Sequence, residues 1–119
     1  MNRHDKRLCG LYAVIALVAL YATWSNNLAF FALPDNGGVA GFLRAAYANP
    51  AAASLSNDLF LLGFSATLFM LREAKRLGIR FVWLYILLSL AVAISVFFPL
   101  FLIARQMRLA TQHDAGRRA

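Results

Sequence analysis

The chain has 119 residues, of which 61% are hydrophobic and 14% are charged, with a net charge of +7. This composition is too apolar for an ordinary soluble domain, and the length leaves no room for a separate soluble catalytic domain. The basic residues flank apolar runs, which is typical of loops held in the cytoplasm and close to anionic lipid. We therefore expect membrane lipids as partners and no nucleic acid.

A basic segment, residues 1–7, precedes the first apolar run. This run begins at Leu8 and has no charged residue before Asp35. A signal peptide has the same order of regions, but here the apolar run is long and no small-residue cleavage pattern follows it at a suitable distance. The sequence therefore predicts a retained first membrane helix at about 8–28, with Trp24 near the far interface.

A dense turn signal, PDNGG at residues 34–38, ends this region. The next segment, about 39–48, is long enough for about three helical turns and too short to cross a bilayer. A short interfacial or re-entrant helix is therefore predicted here. It contains Arg44, the only basic residue between Arg7 and Arg72.

Asn49 and Pro50 mark the start of the second membrane helix. Asparagine is a favoured helix cap, and proline is tolerated at the first helical position, where its missing N–H has no partner to lose. The helix is predicted at about 50–72. A basic segment follows, in which Gly78 suits a helix end and Glu73 is expected to pair with Arg76.

Residues 81–104 contain no charged residue and lie between Arg80 and Arg105. Roughly 20 apolar residues span a hydrocarbon core about 30 Å thick, so this run predicts a third transmembrane helix. A kink is expected at Pro99, and the basic tail, 105–119, is expected to fray. The predicted fold class is all-α: one three-helix transmembrane domain with a short extra helix between the first two.

The distribution of Lys and Arg favours a cytoplasmic N-terminus in the inner (cytoplasmic) membrane. With three crossings, seven basic residues lie inside, in segments 1–7 and 72–80. Arg44 and the four arginines of the tail lie outside. The margin is narrow because the tail opposes the rule that cytoplasmic loops are the more basic ones.

Asp58 is the most informative candidate residue. Counting about 20 residues back from Arg72 puts the far edge of the hydrocarbon core near Ala52, so Asp58 lies about 9 Å inside it. An ionisable side chain at that depth is costly and is a functional candidate. Ser54, Ser65 and Arg72 share a helical face with Asp58, and we expect this face to point into the bundle.

Arg44 is the expected partner of Asp58, since it is the only cation on that side apart from the tail. Several asparagines are expected at a similar depth, where they complete a polar pocket: Asn26, Asn27, Asn49 and Asn57. The predicted ligand-binding residues are Asp58, Arg44, Asn26, Asn49, Asn57 and Ser65. The alternative is a structural role, in which the same polar contacts only fix the register of the helices.

The sequence contains no complete catalytic or metal-binding constellation. Cys9 is the single cysteine, so neither an internal disulfide nor a cysteine cage for a metal is possible. His4 and His113 lie in opposite terminal segments without a second ligand at metal spacing. No metal or cofactor is expected, and whether the protein is an enzyme stays open.

The landmarks resemble a known family in their order and spacing: ANP at 48–50, SLSNDL at 54–59, REAKRLGIR at 72–80, W-x-Y at 83–85 and FPLFL at 98–102. Over roughly 8–108 the chain is similar to the bacterial family called domain of unknown function 2834. The resemblance implies a small three-helix inner-membrane protein without an established activity. By analogy only, the Asp-containing helix, basic loop and proline-broken last helix are also similar to small membrane proteins acting on isoprenoids or carotenoids.

Three functions are compatible with these features. The first is a non-enzymatic membrane component, either an accessory subunit or a bundle that binds a lipid or small ligand, in a homo-oligomer or larger complex. The second is a membrane enzyme on an isoprenoid-like lipid, with Asp58 as acid or base and Arg44 beside it. The third is a holin-like permeabiliser, although the first two helices lack a continuous polar face.

Overall fold

The computed structural model describes residues 2–118, and the regular secondary structure of this part of the chain is all helical, without strands. Three of the helices are long and apolar enough to cross a membrane: α1, α3 and α5. This confirms the predicted all-α class and, for this part of the chain, the three helices of membrane-spanning length and composition. The five helices are α1 (Arg3–Phe31), α2 (Gly38–Ala45), α3 (Pro50–Leu77), α4 (Val82–Ala91) and α5 (Ile94–Arg118).

Local capping chemistry sets the starts of α1 and α3. At α1, the Asn2 side chain accepts a hydrogen bond from the Asp5 N–H, and the Asp5 carboxylate accepts one from the Asn2 N–H, at 2.8 and 3.3 Å. This reciprocal cap starts the helix before the apolar run, at Arg3. At α3, the Asn49 side chain accepts the N–H of Ala52 at 2.8 Å, and Pro50 is the first helical residue.

The helix α3 continues past residue 72, where the sequence predicted its end, to Leu77. It stops at Gly78, which adopts a φ of +68°. This left-handed conformation favours glycine, because a Cβ there is strained. Residues 72–77 of the basic segment therefore form the last turns of α3, and the helix ends at Gly78 as the sequence suggested.

The uncharged run 81–104, predicted as a single helix, forms two helices. The α-helical conformation is interrupted at Val92, with φ −104° and ψ −72°, and resumes at Ile94. The interruption therefore lies before Pro99, where a kink was expected. The Val96 N–H donates to the Ala93 carbonyl at 3.2 Å. In a continuous α-helix it would donate to the Val92 carbonyl, which therefore lacks its helical donor. The Trp24 indole N–H donates to that carbonyl instead, at 3.0 Å. A break at membrane depth requires such a replacement donor.

The helices α4 and α5 fold back on each other as a hairpin. The Tyr85 ring of α4 meets the Phe101 ring of α5 edge to face, with centroids 5.6 Å apart. The same Phe101 ring lies 6.5 Å from the ring of Phe69 on α3. Further along both helices, Glu73 contacts Arg105. The helix α5 therefore runs in the same direction as α3 and returns to the end where α3 stops.

The helix α1 packs antiparallel along α5. Asp5 accepts a hydrogen bond from the Gln106 side chain at 2.6 Å near one end, and Trp24 reaches the α4–α5 break near the other. The side chains of Cys9 and Ala16 are buried in this contact region of α1. Small residues seven positions apart let two helices approach closely, which is how helices in a bilayer gain packing contacts.

The core lies where α3, α4 and α5 meet. Met70 and Phe101 are fully buried there, and Ala74 packs beside them. Elsewhere the structure, which measures 61 × 24 × 23 Å, exposes large apolar side chains such as Leu17 and Phe64. Lipid solvates such a surface as well as a protein core would, so this pattern agrees with a membrane-embedded bundle.

The tail expected to fray is helical through Arg118. It is tied to the end of α3, since Arg108 and Gln112 donate to the Leu77 carbonyl at 2.7 and 3.4 Å. The tail therefore lies at the same end of the molecule as segment 72–80, whereas three full crossings placed it opposite. The count of basic residues, which favoured a cytoplasmic N-terminus only narrowly, had assumed that the tail lies on the opposite side.

We expect both chain termini to face the same side of the membrane. In a Cys9→Ala background, an impermeant thiol reagent should label His4→Cys and His113→Cys from one face of sealed vesicles and Ala48→Cys from the other. Labelling of His113→Cys together with Ala48→Cys, as a single continuous span over 81–104 requires, would contradict this arrangement.

Candidate functional site

Asp58 is exposed and lies on α3, away from the core. Its side chain makes neither an ion pair nor a hydrogen bond with any other residue among 2–118. The ion pairs within this range both involve Glu73. The predicted pair of Asp58 with Arg44 was therefore wrong.

The Arg44 side chain hydrogen-bonds within its own helix and forms no ion pair among residues 2–118. Its Nε donates to the Ala40 carbonyl at 3.4 Å, and the side chain is exposed. The reason is the docking of α2 against α1: the Phe42 ring lies 5.3 and 5.7 Å from the rings of Phe30 and Phe31. This aromatic contact fixes α2 at the end of α1.

Three of the four predicted asparagines have local hydrogen-bonding roles. Asn26 donates to the Ala22 carbonyl at 2.8 Å, and Asn49 caps α3. Asn57 accepts a hydrogen bond from the Tyr47 hydroxyl at 2.9 Å, which ties the α2–α3 loop to α3. The structure does not gather these side chains into a pocket with Asp58. Their role in ligand binding, like that of exposed Ser65, stays a prediction.

The polar residues Ser54, Asp58, Ser65 and Arg72 are all exposed, so the face they share points outward and not into the bundle as expected. At about 100° per residue, this face lies about 140° around the helix from the buried side chains. Those buried side chains are Ala66, Met70, Ala74 and Leu77. Spacing showed which residues share a face but not which face is buried.

The short hairpin explains why nothing covers Asp58. A Cβ placed on Gly63 would lie 3.5 Å from Cδ1 of Ile94, the first residue of α5, so α5 begins at the level of Gly63. Asp58 lies a further five residues away, about 7.5 Å along α3. A continuous third helix would have passed this level, and the broken one stops before it.

The outward face of α3 has a heptad pattern. One set of polar or small residues recurs every seven positions: Ala51, Asp58, Ser65 and Arg72. A second set lies three positions after members of the first: Ser54, Leu61 and Leu68. A repeat of seven with this intermediate spacing matches the contact line of two helices in a left-handed pair. We call this surface the α3 seam, and its members are exposed: Ala51, Ser54, Asp58, Leu61, Ser65, Leu68 and Arg72.

Glu73 forms the central ionic contact of the structure. Its side chain is 13% exposed and accepts two hydrogen bonds from Arg76, both at 2.9 Å, and one from Arg105 Nε at 2.5 Å. The Arg105 guanidinium also lies over the Phe69 ring, 5.5 Å from its centroid. The pair with Arg76 confirms the prediction from the sequence. The sequence missed Arg105 because a single helix over 81–104 puts it across the membrane.

The surface formed by residues 2–118 includes an apolar groove and a basic groove. One, of about 410 Å³, runs between α4 and α5 and is lined mainly by apolar side chains such as Leu88 and Phe97. The other, of about 740 Å³, lies at the end of α3 beside Glu73. The six predicted ligand-binding residues line neither groove. Within residues 2–118, no group of three or more His, Cys, Asp or Glu side chains is placed to hold a metal.

Comparison with known families gives a match over most of the chain. Residues 11–107 match the family described as Protein of unknown function DUF2834. The chain belongs to this family. The DUF2834 match extends from α1 into α5 and includes Asp58, Glu73 and Arg105, and it confirms the resemblance drawn from the order of motifs. No curated protein and no solved structure matches the chain.

In this DUF2834 protein, the contact between Glu73 and Arg105 should couple α3 to α5 energetically. A double-mutant cycle with Glu73→Gln and Arg105→Gln should give a coupling of about 0.5–3 kcal/mol in the free energy of unfolding, measured in mild detergent. The cycle with Arg76→Gln should give a smaller coupling, because that side chain is 59% exposed and solvent screens it. Zero coupling to Arg105 would refute the contact.

Proposed function

We propose that this protein is a non-enzymatic structural component of the inner (cytoplasmic) membrane that assembles with a second copy of itself along the α3 seam. The observation that carries the proposal is the position of Asp58. It is an exposed carboxyl group without a partner among residues 2–118, on a helix long and apolar enough to cross a membrane.

The depth of Asp58 makes a partner necessary. Arg72 lies 14 positions further along α3, which corresponds to about 21 Å of helix. If Arg72 marks one edge of a hydrocarbon core about 30 Å thick, Asp58 lies about 9 Å from the other edge. A charged residue facing lipid near the centre of a span costs about 2.5–3.5 kcal/mol, so polar groups on another helix should cover it.

A second copy meets this requirement without further assumptions. Two parallel copies in one bilayer place identical residues at identical depths, so the two Asp58 carboxyl groups meet across the seam. A proton held by one carboxyl lets it donate to the other, and the hydroxyls of Ser54 and Ser65 lie one and two turns away on the same face. The heptad spacing of the seam supports this left-handed pairing.

The distribution of charge supports a cytoplasmic location for both termini. Of 12 Lys and Arg residues, eleven belong to the start of α1, the end of α3 with its loop, and α5 beyond Ala104. Arg44 alone belongs to the opposite end, on α2, which packs against Phe30 and Phe31. Basic segments are retained in the cytoplasm, so this asymmetry favours one orientation far more strongly than the count from three full crossings.

The alternative of an isoprenoid-acting enzyme used Asp58 together with Arg44. Asp58 and Arg44 form no ion pair with each other, so the proposed electrostatic pair does not support that alternative. Nothing in the described fold favours the holin-like alternative.

Disulfide cross-linking in native membranes tests the seam. In a Cys9→Ala background, Leu61→Cys should form a covalent dimer on mild oxidation, because Leu61 lies on the seam. Phe60→Cys is the matched control: its side chain is at nearly the same depth and is also exposed, 53% against 70% for Leu61, but it points about 100° away. Equal cross-linking of both variants, or of neither, would refute pairing along the seam.

The contribution of Asp58 is testable by substitution. Hydrogen bonds between membrane helices are worth about 0.6–2 kcal/mol, so Asp58→Leu should raise the dimer dissociation constant about 3-fold to 30-fold. Energy transfer between labelled copies in liposomes, measured against lipid-to-protein ratio, gives this constant. Asp58→Asn retains a donor and an acceptor and should dimerise like the unsubstituted protein. An unchanged or tighter dimer for Asp58→Leu would argue against the role of Asp58.

A further inference from the structure

The basic groove at the end of α3 has the composition of an anion-binding site. Its walls are formed by Phe69, Arg72, Glu73, Lys75 and Arg76, and it encloses about 740 Å³. These residues come from the last turns of α3, where a single element holds them in fixed register. We call this surface the basic groove.

The basic groove carries an excess of positive charge. Arg72, Lys75, Arg76 and the adjacent Arg105 supply four positive charges against the one negative charge of Glu73, which leaves three. Glu73 holds only Arg76 and Arg105. The Arg72 and Lys75 side chains are exposed and form no ion pair or hydrogen bond with other residues in 2–118. Two cations are therefore available for an external anion.

The structure reduces one electrostatic obstacle to an anion at this place. The carbonyl groups at the C-terminus of a helix carry partial negative charge, which repels anions. Here the last carbonyl of α3, that of Leu77, accepts hydrogen bonds from Arg108 at 2.7 Å and Gln112 at 3.4 Å. These donors from α5 cover the carbonyl and bring a further positive charge to the helix end.

The basic groove also lies at the boundary between polar and apolar surface. On the side toward the middle of α3, Leu68 and Phe69 are exposed, and the charged residues begin at Arg72. A phospholipid has the same order of parts, with acyl chains on one side of its phosphate. Basic pockets on the cytoplasmic side of membrane helices are a known setting for anionic headgroups.

We propose that the basic groove binds the headgroup phosphate of an anionic phospholipid, whose acyl chains lie along exposed α3. Arg72 and Lys75 contact the phosphate, while Glu73 orients Arg76 and Arg105 beside it. The site belongs to a single chain and does not require the second copy. Arg72 also ends the α3 seam, so a paired copy would bring a second arginine toward the same anion.

Native mass spectrometry of the full-length protein in mild detergent tests the site. Added dioleoylphosphatidylglycerol should remain bound in preference to dioleoylphosphatidylethanolamine, which has the same chains and no net charge. The double variant Arg72→Gln/Lys75→Gln should weaken phosphatidylglycerol binding about 30-fold, since each basic residue near an anionic headgroup contributes roughly fivefold. The control, Lys6→Gln/Arg7→Gln, removes the same charge at the same end of the molecule and should change binding less than threefold, roughly.

Three results would overturn the site. Equal weakening by both double variants would show attraction to net charge only, and equal retention of the two lipids would show no anion preference. Displacement of bound lipid by millimolar inorganic phosphate would show a site for the free ion. All three are read on the monomer, so they are independent of cross-linking through Leu61→Cys.

Discussion

The contact of Glu73 with Arg105 is the interaction on which the arrangement of this protein depends. It joins the end of α3 to the middle of α5 at 2.5 Å and therefore requires both helices to approach the same end of the molecule. A carboxylate only 13% exposed is stable where cations hydrogen-bond to it, and Arg76 and Arg105 both do so. Since α4 leads away from this end, the chain must turn back within the uncharged run.

One of the backbone groups that this turn frees finds a partner on another helix. Trp24 on α1 donates to the carbonyl of Val92, so this acceptor stays hydrogen-bonded among apolar side chains. The same contact aligns α1 with α5. One indole thus fixes the depth of the hairpin and the position of the first helix, although it lies 68 residues from its acceptor.

The depth of the hairpin gives the two halves of the bundle different properties. Where α3, α4 and α5 run together, Met70 and Phe101 form a packed core, and the basic residues gather at that end. On the N-terminal side of Gly63, α3 has no part of α5 beside it, and Asp58 is exposed there. The proposed contact with a second copy and the proposed phospholipid site follow from these two halves, and each uses a different part of α3.

The sequence by itself determined that the chain is mainly helical, that a helix begins after Asn49 and that Gly78 suits a helix end. Caps such as Asn49 and Gly78 act through neighbouring atoms, and the spacing of Ser54, Asp58 and Ser65 placed them on one face because a helix has a fixed period. Only the tertiary structure decided that this face points outward and that 81–104 is divided. An uncharged run of 24 residues is equally apolar as one span or as two half-length helices. The choice rests on contacts with Trp24 and Glu73, which lie far away in the chain.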